Sequence, residues 1–124
     1  VHGAGGVGEA SRAGVDDLRL IEAGQVTARQ LSPEDVGLVA APLDALRGGD
    51  LATNQDILRH VLQGRGSEAQ ANVVAFNTAL APGAAAVETD LNRAPAQALA
   101  ALREGKAWER LEALRVELDR GNGQ

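Results

Sequence analysis

One short stretch, residues 17–31, carries the clear strand-forming pattern of this 124-residue chain. Apolar and polar residues alternate on either side of Glu-Ala-Gly-Gln at positions 22–25, which predicts a β-hairpin with a tight turn. Two strands by themselves do not form a stable sheet in water. The hairpin therefore needs helices packed over it, or strands from another part of a larger protein.

Helix start and stop signals dominate residues 32–120, where capping residues precede apolar-periodic stretches and glycines end them. The predicted elements are a turn from Ser32 to Gly37, a short piece from Ala41 to Gly48, helices from Asp50 to Gly64 and from Ser67 to a break at Pro82-Gly83, and helices near 90–104 and about 106–120. The predicted fold class is α/β and mostly helical: a glycine loop, a hairpin, and four or more helices that would pack on the sheet of a larger domain.

The side chains available for a core are small. Alanine accounts for 24 residues and 31 large apolar side chains are left, among them a single Trp and a single Phe. These suit a modest helical core, and Trp108 is assigned to it because it lies on a leucine stripe of the last helix. Asn54 and Asn77 lie on otherwise apolar helix faces. They are expected to bond the backbone of neighbouring loops, since a buried amide must find partners.

Composition excludes several classes of function. The chain has no cysteine, so it has no disulfide framework, cysteine zinc site or cysteine nucleophile. A net charge of −5 argues against nucleic-acid binding, which needs clustered basic residues. No apolar run approaches the roughly 18 residues of a membrane span, and no signal-peptide pattern is present. The cytoplasm is the expected compartment.

Residues 1–14 hold five of the 15 glycines and are predicted to form a ligand loop, since glycine permits close approach to the backbone. Gly3-x-Gly5-x-x-Gly8 matches the dinucleotide-binding fingerprint, which requires a preceding strand and a following helix. Only two residues precede the motif and Gly14 interrupts the stretch after it, so nucleotide binding is set aside. A chain that opens on such a loop is expected to be the tail of a longer protein.

Six short motifs, taken in order, resemble the C-terminal part of the anthranilate phosphoribosyltransferase family. Each is weak alone, but together they extend over about 107 of the 124 residues. The motifs are Val1-His2-Gly3 with Gly6-Val7-Gly8-Glu9, Pro33-Glu34-Asp35-Val36-Gly37-Leu38, Gly48-Gly49-Asp50 with Asn54, Val61-Leu62-Gln63-Gly64, Asn77-Thr78-Ala79-Leu80, and Gly105-Lys106-Ala107.

The resemblance implies a transferase of tryptophan biosynthesis. Members of the family transfer the ribose phosphate of phosphoribosyl pyrophosphate to the amino group of anthranilate, with Mg²⁺ held at the pyrophosphate leaving group. The resemblance also implies a homodimer for the full-length protein. This chain corresponds to roughly the last third of such an enzyme, so by itself it is not expected to catalyse the transfer.

The glycine loop departs from the family pattern at the metal site, where the family has an Asp-Glu pair. Gly8 stands at the aspartate position, so Glu9 is the one carboxylate left as a candidate Mg²⁺ ligand, and an exposed loop acid is the alternative interpretation. His2 and Gly3 are candidate substrate-binding residues. The alternative interpretations are that His2 is a structural histidine and that Gly3 only turns the chain. No catalytic residue is assigned.

Two other functions stay open. Gly8, Pro82 and Pro95 depart from the family pattern, the two prolines because they fall within helical stretches. These departures favour a diverged relative that binds a ligand or partner, or oligomerises, without catalysis. The third hypothesis is a small helical interaction domain unrelated to phosphoribosyl transfer.

Overall fold

The computed structural model describes residues 1–84 and 93–121. Within them, the chain runs from a glycine loop into a two-stranded sheet, through two 3-10 turns, and then through four α-helices. The strands are β1 (Asp16–Glu22) and β2 (Gln25–Leu31), the 3-10 turns are Glu34–Val36 and Leu43–Leu46, and the helices are α1 (Leu51–Leu62), α2 (Glu68–Ala84), α3 (Arg93–Arg103) and α4 (Lys106–Gly121). The α/β, mostly helical class predicted from the sequence is confirmed.

The hairpin forms where the sequence places it. β1 and β2 pair antiparallel, with Asp16 opposite Leu31 at the open end. The two residues of the turn, Ala23 and Gly24, have φ values of 48° and 76°. Positive φ at both central positions is the type I′ geometry, whose twist matches that of the strands. Asp16 and Leu31 are buried, Leu18 is half-buried and the rest of β2 is exposed, so the hairpin reaches the core through the half away from its turn.

A small core joins the hairpin and the glycine loop to α2. Phe76 of α2 is fully buried and clusters with Ala10, Leu31, Val36 and Leu38. Partly buried leucines pack against this cluster, namely Leu18, Leu80 and Leu99. Because Ala10 belongs to the cluster, the core itself fixes one end of the glycine loop.

Side-chain caps begin α1 and α2, as the sequence predicts. The Asp50 carboxylate accepts the backbone N–H of Thr53 at 2.8 Å at the start of α1. Hydrogen bonding from Thr53 holds the pKa of Asp50 below its ordinary value. Ser67 and Gln70 cap α2 reciprocally, since each side chain accepts the backbone N–H of the other residue at 3.2 and 3.0 Å. A similar box begins the first 3-10 turn.

The prediction that Pro82-Gly83 breaks its helix is wrong. α2 continues through both residues to Ala84, although a proline at this position removes one i→i−4 hydrogen bond. Within the described residues α3 runs from Arg93 to Arg103 and includes Pro95. Residue Leu91, which the apolar periodicity also assigns to that helix, lies outside the described residues.

The prediction that Trp108 belongs to the core is also wrong. Trp108 is half-buried and lines a surface groove between α1 and α4. Leu58, Leu114 and Leu118 line the same groove and are 52%, 56% and 58% exposed. The apolar stripe of α4 therefore faces a neighbouring helix at the surface instead of the core around α2. None of the helices in the described part of the chain is long and apolar enough to cross a membrane.

Candidate functional site

A buried carboxylate holds the glycine loop, residues 1–14, in shape. Asp16 at the start of β1 is fully buried and accepts the backbone N–H groups of Ala4 and Ser11, each at 2.8 Å. Ser11 is buried as well. Its hydroxyl donates to the carbonyl of Ala4 at 2.9 Å and accepts the N–H of Ala13 at 3.0 Å. Charge-assisted bonds of this kind are stronger than neutral ones, so Asp16 ties the two halves of the loop together.

Inside that frame, residues 3–7 form a tight turn. The N–H of Gly3 donates to the carbonyl of Val7 at 2.9 Å, and the N–H of Gly6 donates to the carbonyl of Gly3 at 3.1 Å. A Cβ atom on Gly3 would overlap the carbonyl oxygen of Glu9 and lie 2.6 Å from Cγ2 of Val7. Only a glycine fits here, and the main chain of Glu9 therefore rests directly on Gly3.

An asparagine from α2 clamps the loop next to Glu9. Oδ1 of Asn77 accepts the N–H of Ala10 at 2.9 Å, and Nδ2 donates to the carbonyl of Ala10 at 2.8 Å. Asn54 makes the same kind of paired contact with the N–H and carbonyl of Gly49, at 3.0 and 2.9 Å. The prediction that both asparagines bond the backbone of neighbouring loops is confirmed.

Arg12 is a buried charge that no sequence motif marks. Its Nε donates to the carbonyl of Val39 at 2.8 Å, one terminal nitrogen contacts the same oxygen, and the other donates to the carbonyl of Ala69 at 3.4 Å. Burial lowers the pKa of the guanidinium from its ordinary value, and the carboxylates of Glu68 and Glu34 oppose that shift. Because its partners are backbone carbonyls that only folding brings near, no spacing in the sequence could have pointed to it.

A cleft of about 460 Å³ opens beside the glycine loop. Glu9 is exposed and is the single acidic residue among those that line the cleft. Gly8 has no atom within 4 Å of the position where a side chain would begin. The lining residues are Val7, Gly8, Glu9, Ala10, Ser11, Leu43, Leu46 and Val73. A ligand in the cleft would meet an apolar wall from the second 3-10 turn and α2, and one carboxylate from the loop.

The other two candidate residues lie at the base of the loop. His2 is exposed, and its N–H and carbonyl pair with the backbone of Asp17 in β1 at 2.8 and 2.9 Å. Gly3 is buried against the main chain of Glu9. The fold thus brings Gly3 and Glu9 into contact and places His2 on the edge of β1. A substrate-binding role for His2 or Gly3 stays a prediction.

The surroundings of Glu9 fit part of a magnesium site. In residues 1–84 and 93–121, no three His, Cys, Asp or Glu side chains come together as a metal-binding group. Mg²⁺, however, often takes one or two carboxylates and completes its octahedral shell with water and substrate phosphate oxygens. An exposed carboxylate next to the open space at Gly8 is compatible with that arrangement.

The described residues thus form an α/β fold in which a hairpin and a glycine loop pack against helices and one carboxylate lies at a cleft. The chain belongs to the glycosyl transferase family, α/β domain, whose sequence model matches residues 1–108. The crystal structure of anthranilate phosphoribosyltransferase from Thermus thermophilus is similar, with a TM-score of 0.75 and 34% identity over 89% of this chain and 32% of that one. The Saccharomyces cerevisiae enzyme in complex with 4-fluoroanthranilate has the same fold, with a TM-score of 0.78 at 23% identity over the same shares of the two chains.

One relative is more similar to this chain in sequence than either of these two structures. The anthranilate phosphoribosyltransferase of Synechococcus sp. (strain CC9902) is 55% identical over 125 residues, which cover all of this chain and 36% of the relative. The chain thus spans about a third of the length of the curated relatives that it matches.

Proposed function

We propose that this chain forms part of the catalytic domain of an anthranilate phosphoribosyltransferase, which transfers phosphoribose from phosphoribosyl pyrophosphate to anthranilate. The observation that carries the proposal is the geometry of the glycine loop. Close packing at Gly3 and hydrogen bonds to Asp16 and Asn77 hold Glu9 of this loop at a cleft. The name of the Synechococcus relative, 55% identical over the whole chain, supports the same activity.

In this function Glu9 would hold Mg²⁺ through its carboxylate. When bound, the metal supplies charge neutralisation at the pyrophosphate leaving group. Gly8 adds no ligand, so more of the metal's shell is left to water and substrate oxygens than beside an Asp-Glu pair. The loop contributes orientation, because the contacts of Gly3 and Ala10 restrain the main chain and leave the side chain of Glu9 free to bind. His2 and Gly3 remain the proposed substrate-binding residues.

Phosphoribosyl transfer would require more than these residues supply. The cleft has one acidic lining residue, and the described part of the chain has no group of three metal-binding side chains. On this proposal the other ligands of both substrates belong to further residues of the enzyme, and the 124-residue chain alone is inactive. The homodimer of the full-length protein, the cytoplasmic location and the lack of a nucleic-acid partner stay predictions.

The substitution Glu9→Gln, made in the natural protein that contains these residues, tests the proposal. We expect the Mg²⁺ concentration that gives half-maximal transfer to rise at least about tenfold, because a neutral amide is a weaker ligand for a hard cation. Glu22→Gln, at an exposed acid of the hairpin, is the matched control and leaves that concentration unchanged. A wild-type protein without transfer activity, or an unchanged Mg²⁺ requirement in Glu9→Gln, would contradict the proposal.

Gly8 favours a second candidate function, that of a diverged relative which binds a ligand or partner without catalysis. The substitution Gly8→Asp separates the two, and the open space at this position has room for the new side chain. If the natural protein is inactive and Gly8→Asp confers Mg²⁺-dependent transfer, the metal site has decayed and the second function holds. Transfer by the natural protein would exclude it.

A further inference from the structure

We infer that Asn77 is a positioning residue for Glu9 and acts through the main chain of Ala10. The inference rests on the proposed function, in which the carboxylate of Glu9 binds a metal at the cleft. Asn77 is 67 residues away from Ala10 in the chain, and its amide makes both of its loop contacts to that one residue.

The two contacts immobilise the peptide groups on both sides of Ala10. The N–H of Ala10 belongs to the peptide group that also contains the carbonyl of Glu9, and its own carbonyl belongs to the next one. Oδ1 of Asn77 accepts from the first at 2.9 Å and Nδ2 donates to the second at 2.8 Å. A primary amide can make both contacts at once, since it carries an acceptor and a donor side by side.

The clamp is rigid because α2 is anchored on either side of Asn77. Phe76 and Ala75 are fully buried, and Ala79 is 1% exposed. The Nδ2 of Asn77 also donates to the carbonyl of Val73, one helical turn earlier, at 3.0 Å. This third bond helps to fix the orientation of the amide toward the loop.

Gly3 holds the opposite side of the Glu9 main chain, where the Glu9 carbonyl occupies the space of the missing Cβ. The peptide group between Glu9 and Ala10 is thus packed against Gly3 at its carbonyl and bonded to Asn77 at its N–H. The exposed side chain of Glu9 is the part that keeps its freedom. Some residues orient a metal ligand without touching the metal, and their removal typically lowers metal affinity or activity by about 10- to 100-fold.

Asn54 provides a matched control for a merely structural amide. It makes the same pair of contacts with the main chain of Gly49, at the start of α1 and outside the glycine loop. Asn77→Ala and Asn54→Ala therefore each remove a paired contact with one main-chain residue. Only Asn77 lies next to Glu9, and Asn77→Ala also removes its bond to Val73.

The test measures Mg²⁺-dependent transfer and Mn²⁺ binding by electron paramagnetic resonance, in the presence of pyrophosphate, on the natural protein that contains these residues. We expect Asn77→Ala to raise the Mg²⁺ midpoint and the Mn²⁺ dissociation constant about tenfold or more. Asn54→Ala should leave both unchanged. In the Glu9→Gln background, Asn77→Ala should have no further effect on either, because the residue that it positions is already removed.

Asn77→Asp serves if Asn77→Ala does not fold. It keeps the acceptor for the N–H of Ala10 and loses the donor, and an added carboxylate would by charge alone strengthen cation binding. Weaker Mn²⁺ binding in this variant would therefore come from lost positioning and support the inference. Unchanged or tighter binding would overturn it.

The inference is overturned if Asn77→Ala and Asn54→Ala behave alike, or if Asn77→Ala weakens Mn²⁺ binding equally with and without Glu9. A wild-type protein that transfers no phosphoribose would contradict the proposed function, and Mn²⁺ binding still decides the role of Asn77. Glu9-dependent binding that Asn77→Ala weakens would support that role, and binding independent of Glu9 would overturn it.

Discussion

The glycines of the glycine loop differ in how closely other atoms approach them. Gly3 has the least room, since the carbonyl of Glu9 and the side chain of Val7 fill the space where its side chain would begin. Gly8 belongs to the same loop and has no atom within 4 Å of that position. Two glycines that look equivalent in the sequence are therefore different in kind, because only Gly3 is required by a close approach.

We expect Gly3→Ala to lower the free energy of unfolding by about 1–3 kcal/mol, as overpacking typically does. The group it would strike is a backbone carbonyl, which cannot move aside without opening the turn. Gly8→Ala should change the free energy of unfolding by less than about 0.5 kcal/mol. Urea unfolding followed by circular dichroism measures both variants. Equal effects of the two substitutions would contradict the close contact between Gly3 and Glu9.

Among the elements, the hairpin has a turn of favourable type with a poorly suited residue in it. Ala23 has a φ of 48° and is the one non-glycine residue with positive φ among those described. An L-residue other than glycine is strained in this region by about 1–2 kcal/mol, and asparagine is the side chain that type I′ turns favour there.

The substitution Ala23→Asn should therefore stabilise the protein by about 0.5–1 kcal/mol, because it relieves part of the strain of the turn. Ala23→Val should destabilise it, since a β-branched side chain tolerates positive φ least. The thermal unfolding midpoint is the measurement. A midpoint that falls in Ala23→Asn would show that the turn does not have the type I′ geometry.

For the molecule as a whole, the helices differ in how much of their apolar surface is buried. α2 contributes Phe76 to the core, whereas α4 has no buried residue within the described part of the chain. The groove between α1 and α4 exposes more than half of each of Leu58, Leu114 and Leu118. Contiguous exposed apolar surface of this kind is unusual for a folded domain.

The exposed groove predicts that the 124-residue chain binds a hydrophobic dye. Leu58→Gln combined with Leu118→Gln should reduce the dye fluorescence at least about twofold, because both side chains line the groove and glutamine keeps the helix propensity. Val39→Gln replaces a side chain that is 69% exposed outside the groove, and should leave the fluorescence unchanged. Equal fluorescence in the groove variant and the wild type would place the dye elsewhere.

The sequence by itself determined the features of this protein that depend on neighbouring residues. The hairpin with its two-residue turn, and the caps at Ser32, Asp50 and Ser67, depend on residues within a few positions of one another, so a local pattern suffices to predict them. The ordered motifs likewise indicated the family to which the chain belongs. The sequence also singled out Glu9 as a candidate ligand, because it is the carboxylate of the glycine loop.

Only the tertiary structure decided which of these residues meet. Asn77 reaches Ala10 across 67 residues, and Arg12 reaches Val39 across 27. Periodicity shows that the stripe of Trp108 is apolar, but what covers such a stripe depends on how the helices pack, and here it lines a surface groove. Contacts between distant segments form only when the core brings those segments together, so no local pattern could show that main chain and an amide from α2 hold Glu9 in place.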